Sequence, residues 1–473
     1  MLEGLEISVL SLEEALSEND MFRIDGEYFR RQYLKEDSVR TLFKNAYLGA
    51  ISFITDGQHG YHEVDENSQI AHLTAKNFKY WFADKNGADG LAQWVHDKNQ
   101  RSALQINDII LTTRGSVGYC ALVTNAVLPA NIDQDVARIV LNEDAPVCPN
   151  YVIAYLNSDF GQDWIKRNCT GMVQQGLSLG RIREMPIPIL SNPFQQKIEA
   201  LVKSAHTAQE SSKSLYQTAE NLLLSALGID ESIFKVSKNE VVTNEKSFAD
   251  LEDAFRFDSE YYQPKYDLIH EKIKSYKGGF AKLEQCLKEL QTGEYAGEYQ
   301  TKNESLSYFI RNTNVKKTQI VVDENYAVLP DNFKKFTQEG DILTARVGAI
   351  GLFGVVRKDS ANCVYSDNVL NIRLIDTLNP EVYCCYFSTK VNFELVDRIA
   401  GGSVQPLITQ TSIKDLVIPI FPNEIQTSVL TKIQESFSLK THSEHLLNLA
   451  KRAVEIAIEE GEEVAMGWMG NNE

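Results

Sequence analysis

Phe22-Arg-Ile-Asp-Gly-Glu-Tyr-Phe29 and Phe255-Arg-Phe-Asp-Ser-Glu-Tyr-Tyr262 are one phrase written twice, 233 positions apart. The same offset carries Asp108-Ile109 onto Asp341-Ile342 and the glycines Gly115 and Gly118 onto Gly348 and Gly351. Ile-Leu-Thr-Thr-Arg114 answers Ile-Leu-Thr-Ala-Arg346 with one residue gained or lost. Further on the offset settles at 231, matching Arg167 with Arg398, Gly171 with Gly402 and Val173-Gln174 with Val404-Gln405. Ile187-Pro188-Ile189 then falls on Ile418-Pro419-Ile420, and Asn192 and Gln195 on Asn423 and Gln426. One match could be chance; a common order at nearly constant spacing is a duplication, and a duplication sets the fold.

Each copy follows the same plan. An amphipathic acidic-aromatic helix is expected at the repeated phrase, then a stretch rich in β-branched and aromatic residues. Strands are expected at 108–113, 137–141, 341–344, 352–356 and 369–374. A short helix follows at 150–166 and 380–398, then a Gly/Gln loop and a last strand. Pro186 and Pro188 make that strand an edge or an exit. Each copy ends in a long helix with a narrow apolar seam: Ile198, Leu201, Ala205, Ala208, Leu215, Ala219, Leu222 and Ala226, and later Ile425, Val429, Ile433, Phe437, Leu446, Leu449, Ala453 and Ile456. At 1.5 Å per residue such a helix is roughly 50 Å long, and a seam that narrow calls for a partner helix. The expected fold is α/β (α+β), with two repeated domains whose long helices pair as an antiparallel coiled coil. The expected boundaries are 1–191 for the first domain, 192–228 for its helix, 229–253 for an acidic linker, 254–422 for the second domain, 423–462 for its helix and 463–473 for a tail.

A chain of 473 residues with 43% hydrophobic and 24% charged content is long enough for two to four globular domains. The net charge of −18 argues at first against a nucleic-acid partner, because phosphate contacts need Lys and Arg. Its distribution weakens that objection. Residues 1–37 carry ten acidic and four basic side chains, 228–253 seven and three, and 423–473 nine and four, leaving −3 for the rest. Local potential decides binding, and acidic ends and linkers need not face a DNA-binding cleft. The seven cysteines form no CxxC pair and have no His at zinc-finger spacing, so free thiols and no metal are expected. No apolar run reaches membrane-span length, and Met1-Leu2-Glu3-Gly4 lacks a basic leader, so the expected location is the cytoplasm, away from membranes.

The order of repeated domain, long helix, repeated domain and long helix resembles that of type I restriction-modification specificity subunits. Asn107-Asp-Ile-Ile-Leu-Thr-Thr-Arg-Gly-Ser-Val-Gly118 and Gly340-Asp-Ile-Leu-Thr-Ala-Arg-Val-Gly-Ala-Ile-Gly351 resemble the family's Gly-Asp-Ile-Leu segment with its Arg and two glycines. Gly171-Met-Val-Gln-Gln-Gly-Leu-Ser-Leu179 with Ile187-Pro188, and Gly402-Ser-Val-Gln-Pro-Leu407 with Ile418-Pro419, resemble its Gly…Gln…Ile-Pro segment. The resemblance spans about residues 20–462. It implies that each domain reads one half of a split target in double-stranded DNA, while the paired helices set the gap between halves. It also implies partners: two modification subunits that methylate adenine at N6, joined by restriction and translocase subunits in phage defence. S-adenosylmethionine, ATP and Mg are then expected only in those partners. The halves differ between their shared motifs, which predicts an asymmetric target.

Candidate DNA contacts follow from residue type and place. Arg114 and Arg346 stand between a strand and a glycine turn, where a long cation reaches phosphate or a guanine edge. Gln174, Gln175, Arg181 and Arg183 lie in one Gly/Gln loop, and Gln405 and Lys414 in the other. Glutamine can bond an adenine edge, and glycine admits close backbone approach. His59-Gly-Tyr-His62 with Lys76 and Lys79, and Arg311-Asn-Thr-Asn-Val-Lys316-Lys317, mix cations with polar or aromatic groups. Partner docking is expected along the helices at Leu201, Leu215, Leu222, Val429, Ile433 and Leu446. Asp25 with Glu27, and Asp258 with Glu260, are only two apart and would face different ways on a helix, so they read as structural anchors for Phe22, Tyr28, Phe255 and Tyr261.

An enzyme is the main competing class. A methyltransferase needs a glycine-rich cofactor loop and an Asn/Asp-Pro-Pro-aromatic tetrapeptide; Asn192-Pro193-Phe194 lacks the second proline and opens the long helix. There is no P-loop and no Glu-x-Lys tripeptide. No catalytic residue is expected. Two further readings stay open: a specificity subunit whose partner fuses methyltransferase and nuclease, and a duplicated interaction protein without DNA binding.

Overall fold

The computed structural model describes residues 9–16, 23–60, 63–171, 175–230, 233, 243–248, 256–348, 350–401 and 406–473. Most of the acidic linker, with Phe22, Tyr61, His62, Gln174, Phe255 and Gln405, lies outside them. The chain divides into two compact units, one of residues up to Glu210 with Leu439–Glu473, the other Ser211–Ser438. Both long helices, Asn192–Ala226 and Asn423–Glu460, continue from one unit into the other. Each unit thus packs one copy of the repeat around a stretch of both helices.

In the first unit a five-stranded sheet has the order Ser52–Asp56, Val136–Leu141, Ile109–Thr112, Cys120–Leu122, Trp81–Phe82. A three-stranded sheet (Asp89–Gly90, Ala71–Leu73, Ala130–Ile132) and a pair, Asn45–Tyr47 with Pro186–Pro188, complete it. The Pro-flanked strand is an edge, as two prolines without amide donors require. In the second unit the six-stranded order is Leu287–Thr292, Val369–Leu374, Ile342–Ala345, Phe353–Val355, Thr318–Ile320, Val315–Lys316. Phe280–Lys282 pairs with Val417–Pro419, repeating the small edge pair. The architecture is mixed α/β, written twice.

The repeated Asp108 and Asp341 owe their place to this sheet. Asp108 accepts from Arg138 Nε at 2.6 Å and from the Gln105 amide at 2.7 Å, with both side chains of the pair buried. Asp341 accepts from Arg373 at 2.7 and 2.9 Å, from Asn371 at 2.7 Å and from the Gln338 amide at 2.8 Å. Gln195 and Gln426 close the same turn in each unit. Gln195 accepts from the Cys148 amide and donates to the Pro146 and Leu190 carbonyls, while Gln426 does so with Asn379, Thr377 and Phe421.

The long helices run antiparallel. Ser443 Oγ donates to the Ala205 carbonyl at 2.7 Å, and Ser436 Oγ to that of Ser212 at 2.8 Å. Small residues at these positions let the backbones approach. Ile198, Leu201, Val202 and Ala205 share the first unit's core with Leu446, Leu449, Ala450 and Ala453. Ala219, Leu223, Val429 and Ile433 lie in the second unit's core. This corrects the docking assignment: Leu201, Val429, Ile433 and Leu446 are buried within the chain, Leu215 is half-buried, and only Leu222 is exposed, Leu223 having taken its place inside.

Three expectations of local structure are also corrected. The described residues of the repeated phrase do not form an α-helix. Asp25–Phe29 form a turn before the helix Arg31–Arg40, and Ser259–Tyr262 a single tight turn before Pro264–Lys274. Asp25 and Asp258 each accept from a backbone amide three residues on, Tyr28 and Tyr261, at 3.1 Å, which caps a fresh turn in mid-phrase so that no helix runs through it. The single helices expected at 150–166 and 380–398 are each broken in two, because Ser158 and Thr389 cap a new helix with their hydroxyls. The expected tail is a helix, Glu462–Asn472, with Ala465 and Met469 in the first unit's core.

Glu36, on Arg31–Arg40, is buried beside Asp163; burial, then the neighbouring carboxylate, raises its pKa from 4.5 to about 8. Below about pH 4.5 the carboxyl is protonated folded or unfolded and costs nothing. As pH rises towards about 8 the unfolded chain loses a proton that the folded chain keeps, so the group lowers stability increasingly. Glu36→Gln is therefore expected to raise the thermal midpoint more at about pH 8 than at about pH 5. All four tryptophans lie in the first unit and supply the readout; equal shifts at both pH values would sink the assignment.

Candidate nucleic-acid interface

Arg114 follows the strand Ile109–Thr112 and precedes Gly115, whose φ of +71° turns the chain; Gly348, at +84°, does the same after Arg346. Each arginine turn is stitched to its Gly/Gln loop. The Leu177 amide donates to Thr113 O at 2.9 Å, while Gly176 exchanges bonds with Thr170 at 2.8 and 2.9 Å. In the second unit Ile408 donates to Arg346 O at 2.8 Å, and Leu407 exchanges bonds with Gly401 at 2.8 and 2.9 Å. Segments some sixty residues apart in sequence are thus one surface in each unit. In the first they border a cleft of about 510 Å³ lined by Asp56, Arg114, Gln134, Gly171, Gln175 and Ser178 among others.

The two arginines are held differently. The Arg114 side chain is 56% exposed and its contact with Asp135 is 3.5 Å, long for a charge-assisted bond. Such a pair is worth roughly 0–1 kcal/mol and exchanges readily for another anion. Arg346 is half-buried, with Nη1 donating to Asp367 O at 3.1 Å. Gln175 is exposed at the cleft. Arg181 pairs with Glu184 at 2.6 Å on the short helix Leu179–Glu184, and Arg183 Nη2 donates to Ile54 O at 2.9 Å, fastening that helix to the sheet. Lys414, on Gln410–Lys414, is 3.4 Å from Glu284.

The remaining candidates divide. Asn312 Nδ2 donates to Val347 O at 3.3 Å, bringing the 311–317 segment to the Arg346 turn. Within it, Arg311 lies 3.2 Å from the Tyr326 ring centroid and 3.5 Å from Asp323, Lys317 is 2.7 Å from the buried Glu220 on the first long helix, and Lys316 is exposed. Lys317 and Arg183 are exposed as well, and each also contacts a carboxylate or carbonyl of a neighbouring element. Lys76 and Lys79 are exposed in the turn region between Leu73 and Trp81. His59 Nε2 sits 2.9 Å from Asp56, which borders the cleft.

Several residues with clear roles escaped the sequence reading. Gly57 and Gly293 occupy equivalent places beside the arginine turns; a Cβ there would lie 1.9 Å from Ile132 O or Tyr365 O. Gly293→Ala is expected to destabilise the second unit by about 1–3 kcal/mol by forcing the backbone apart. Hydrogen exchange at the Glu294 amide, which donates to Tyr365 O at 2.9 Å, checks this; unchanged protection would contradict it. The repeated Arg167 and Arg398 were visible as matches but not as clamps. Their guanidinium carbons lie 4.3 Å from the Tyr28 and Tyr261 ring centroids. Arg23 and Arg256, bidentate on Asp25 and Asp258, hold those carboxyls below the ordinary range by hydrogen bonding. Kept ionised and clamped, they anchor the aromatics.

Among the described residues no group of three or more His, Cys, Asp or Glu is placed to hold a metal ion, and no helix is long and apolar enough to cross a membrane. No protein-family model and no curated protein matches the chain. Among solved structures it is similar to the type I restriction-modification system S subunit from M. genitalium, at 11% identity and a TM-score of 0.37, over 88% of this chain and 96% of that one. It is also similar to the HsdS subunit from Thermoanaerobacter tengcongensis, at 12% identity and a TM-score of 0.29, over 89% and 97% of the two chains. The type IIG restriction endonuclease BpuSI matches at 9% identity and a TM-score of 0.28, over 40% of this chain and 30% of that one.

Proposed function

We propose that this chain is the DNA sequence-specificity subunit of a type I restriction-modification complex. The observation that carries the reading is the duplication of one constellation. Each unit joins a glycine-turned arginine, Arg114 or Arg346, to a Gly/Gln loop at the end of a central strand of its main sheet. Two similar readers with different side chains between their shared motifs suit a bipartite, asymmetric target in duplex DNA. The antiparallel helices act as the spacer that fixes the gap between half-sites. Two adenine-N6 methyltransferase subunits dock on the chain, and restriction and translocase subunits join them. S-adenosylmethionine, ATP and Mg act in those partners, and this chain contributes recognition without catalysis, in the cytoplasm. With 47 basic against 65 acidic side chains, it relies on its partners for much of the DNA affinity.

The test is methylome sequencing of cells expressing the chain with its cognate methyltransferase. A bipartite, asymmetric adenine-methylated motif is expected, and a continuous palindrome would contradict two different readers. The related arrangement, in which the partner fuses methyltransferase and nuclease, predicts the same motif and is separated by the composition of the purified complex.

A further inference from the structure

Tyr295 is the most exposed aromatic side chain among the described residues, at 78%, yet the backbone that carries it is pinned on both sides. Before it, Gly293 presses against Tyr365 O, and Glu294 binds inward, its amide on Tyr365 O and its carboxylate accepting from the Lys334 and Lys335 amides at 2.8 Å each. After it, Ala296 is buried with Phe309, Val328 and Val364. Tyr299 packs tilted against Phe309 and edge-on against Tyr326, both at 5.2 Å between centroids, and Gln300 exchanges backbone bonds with Ala327 at 2.9 and 3.0 Å. A large ring held out from a rigid base loses little conformational freedom on contact, so an interaction there is inexpensive to form.

Its neighbours say what the ring meets. Glu294 bridges Ser366, and the next two residues, Asp367 and Asn368, receive the side-chain and backbone bonds of Arg346. Tyr295 therefore stands beside the arginine turn of the second unit. A Cβ at Gly297 would meet only the Tyr295 ring itself, 4.0 Å from its Cε1, so no other group crowds that side of the ring. Base edges in the major groove offer donors, acceptors and one apolar group, the C5 methyl of thymine. An exposed ring next to a backbone-holding cation is matched to that methyl.

We propose that Tyr295 reads one thymine in the second unit's half of the DNA target, its ring packed on the C5 methyl while Arg346 holds the neighbouring backbone. This rests on the DNA-reading function proposed above. The experiment selects bound sequences from a library of randomised DNA duplexes, using the full chain complexed with its methyltransferase. Wild type, Tyr295→Ala, Tyr295→Phe and the remote Tyr47→Ala are compared, with a thermal melt of each confirming the fold. Tyr295→Ala is expected to lose preference for thymine at one position of one half, by at least roughly fivefold, the low end of the cost of a mismatched pair. Tyr295→Phe and Tyr47→Ala are expected to retain it. Replacing that thymine by deoxyuridine is expected to weaken wild-type binding several-fold and leave Tyr295→Ala unaffected. A Tyr295→Ala motif identical to wild type, or a loss spread evenly over all positions, overturns the assignment of Tyr295 alone. A wild-type complex that selects no motif overturns the DNA-reading function, and this inference with it.

Discussion

Asp108→Ala is expected to destabilise the first unit by about 3–5 kcal/mol, the range for breaking a buried ion pair by removing one partner. The carboxylate is 3% exposed and Arg138 7%, and with Asp108 gone the Arg138 guanidinium keeps only the Arg101 carbonyl, at 2.9 Å. The Gln105 amide loses its acceptor as well. Burial raises the Asp108 pKa above the ordinary carboxylate value, and the hydrogen bonds from Arg138 and the Gln105 amide oppose the rise. In the second unit Asp341→Ala should cost less, because Arg373 is more exposed and keeps Glu289 at 2.6 Å. Tryptophan fluorescence separates the two, since Trp81, Trp94, Trp164 and Trp468 all lie in the first unit. Asp108→Ala should lower the urea midpoint of that signal by at least about 1 M, given slopes of about 1–3 kcal/mol/M. A shift within error would show the pair to be dispensable. The apolar double replacement of Asp108 and Arg138 should recover most of the loss, because neither charge is then left buried alone.

The network illustrates what was readable beforehand. The repeat disclosed that Asp108 and Asp341 mattered, since both sit at one offset, and β-branched runs placed their strands within a residue or two. Their partners were not readable, because Arg138 and Arg373 stand on strands brought alongside by register, at an offset differing from that of the aspartates. The long helices followed from periodicity, and their antiparallel pairing from the need to cover two seams. The exchange of Leu222 for Leu223 depends on where the packing partner lies, which periodicity leaves open. The helix breaks at Ser158 and Thr389 escaped notice because a hydroxyl caps only once the chain has turned. At the candidate interface, residue type pointed to the arginine turns as candidates. It could not tell Lys316 from Lys317, one residue on and also exposed, which pairs with Glu220. Tyr295 stands out only by its exposure, which a tyrosine in a polar loop does not disclose in the sequence.

Arg114→Ala with Arg346→Ala is expected to lower DNA affinity of the complex by about 3–6 kcal/mol, taking about 1.5–3 for each hydrogen-bonded charge. The choice between phosphate and base as their target turns on how they are held. Bidentate reading of guanine needs a guanidinium free to present two parallel donors. Arg346 has Nη1 committed to Asp367 O, and Arg114 leans towards Asp135 from a glycine turn with more than half its surface exposed. Both geometries suit a single charge-assisted bond to a phosphate, which positions the unit without informing on sequence. The double variant should therefore select the same motif as wild type, more weakly at every position. Each phosphate contact contributes about 0.9 to the slope of log affinity against log salt, so the slope should fall by about 1.8 in magnitude. Each single variant should remove about half of that, one for each half of the target. A changed base preference with an unchanged slope would make the arginines base readers. An unchanged affinity would move the interface away from the turns altogether.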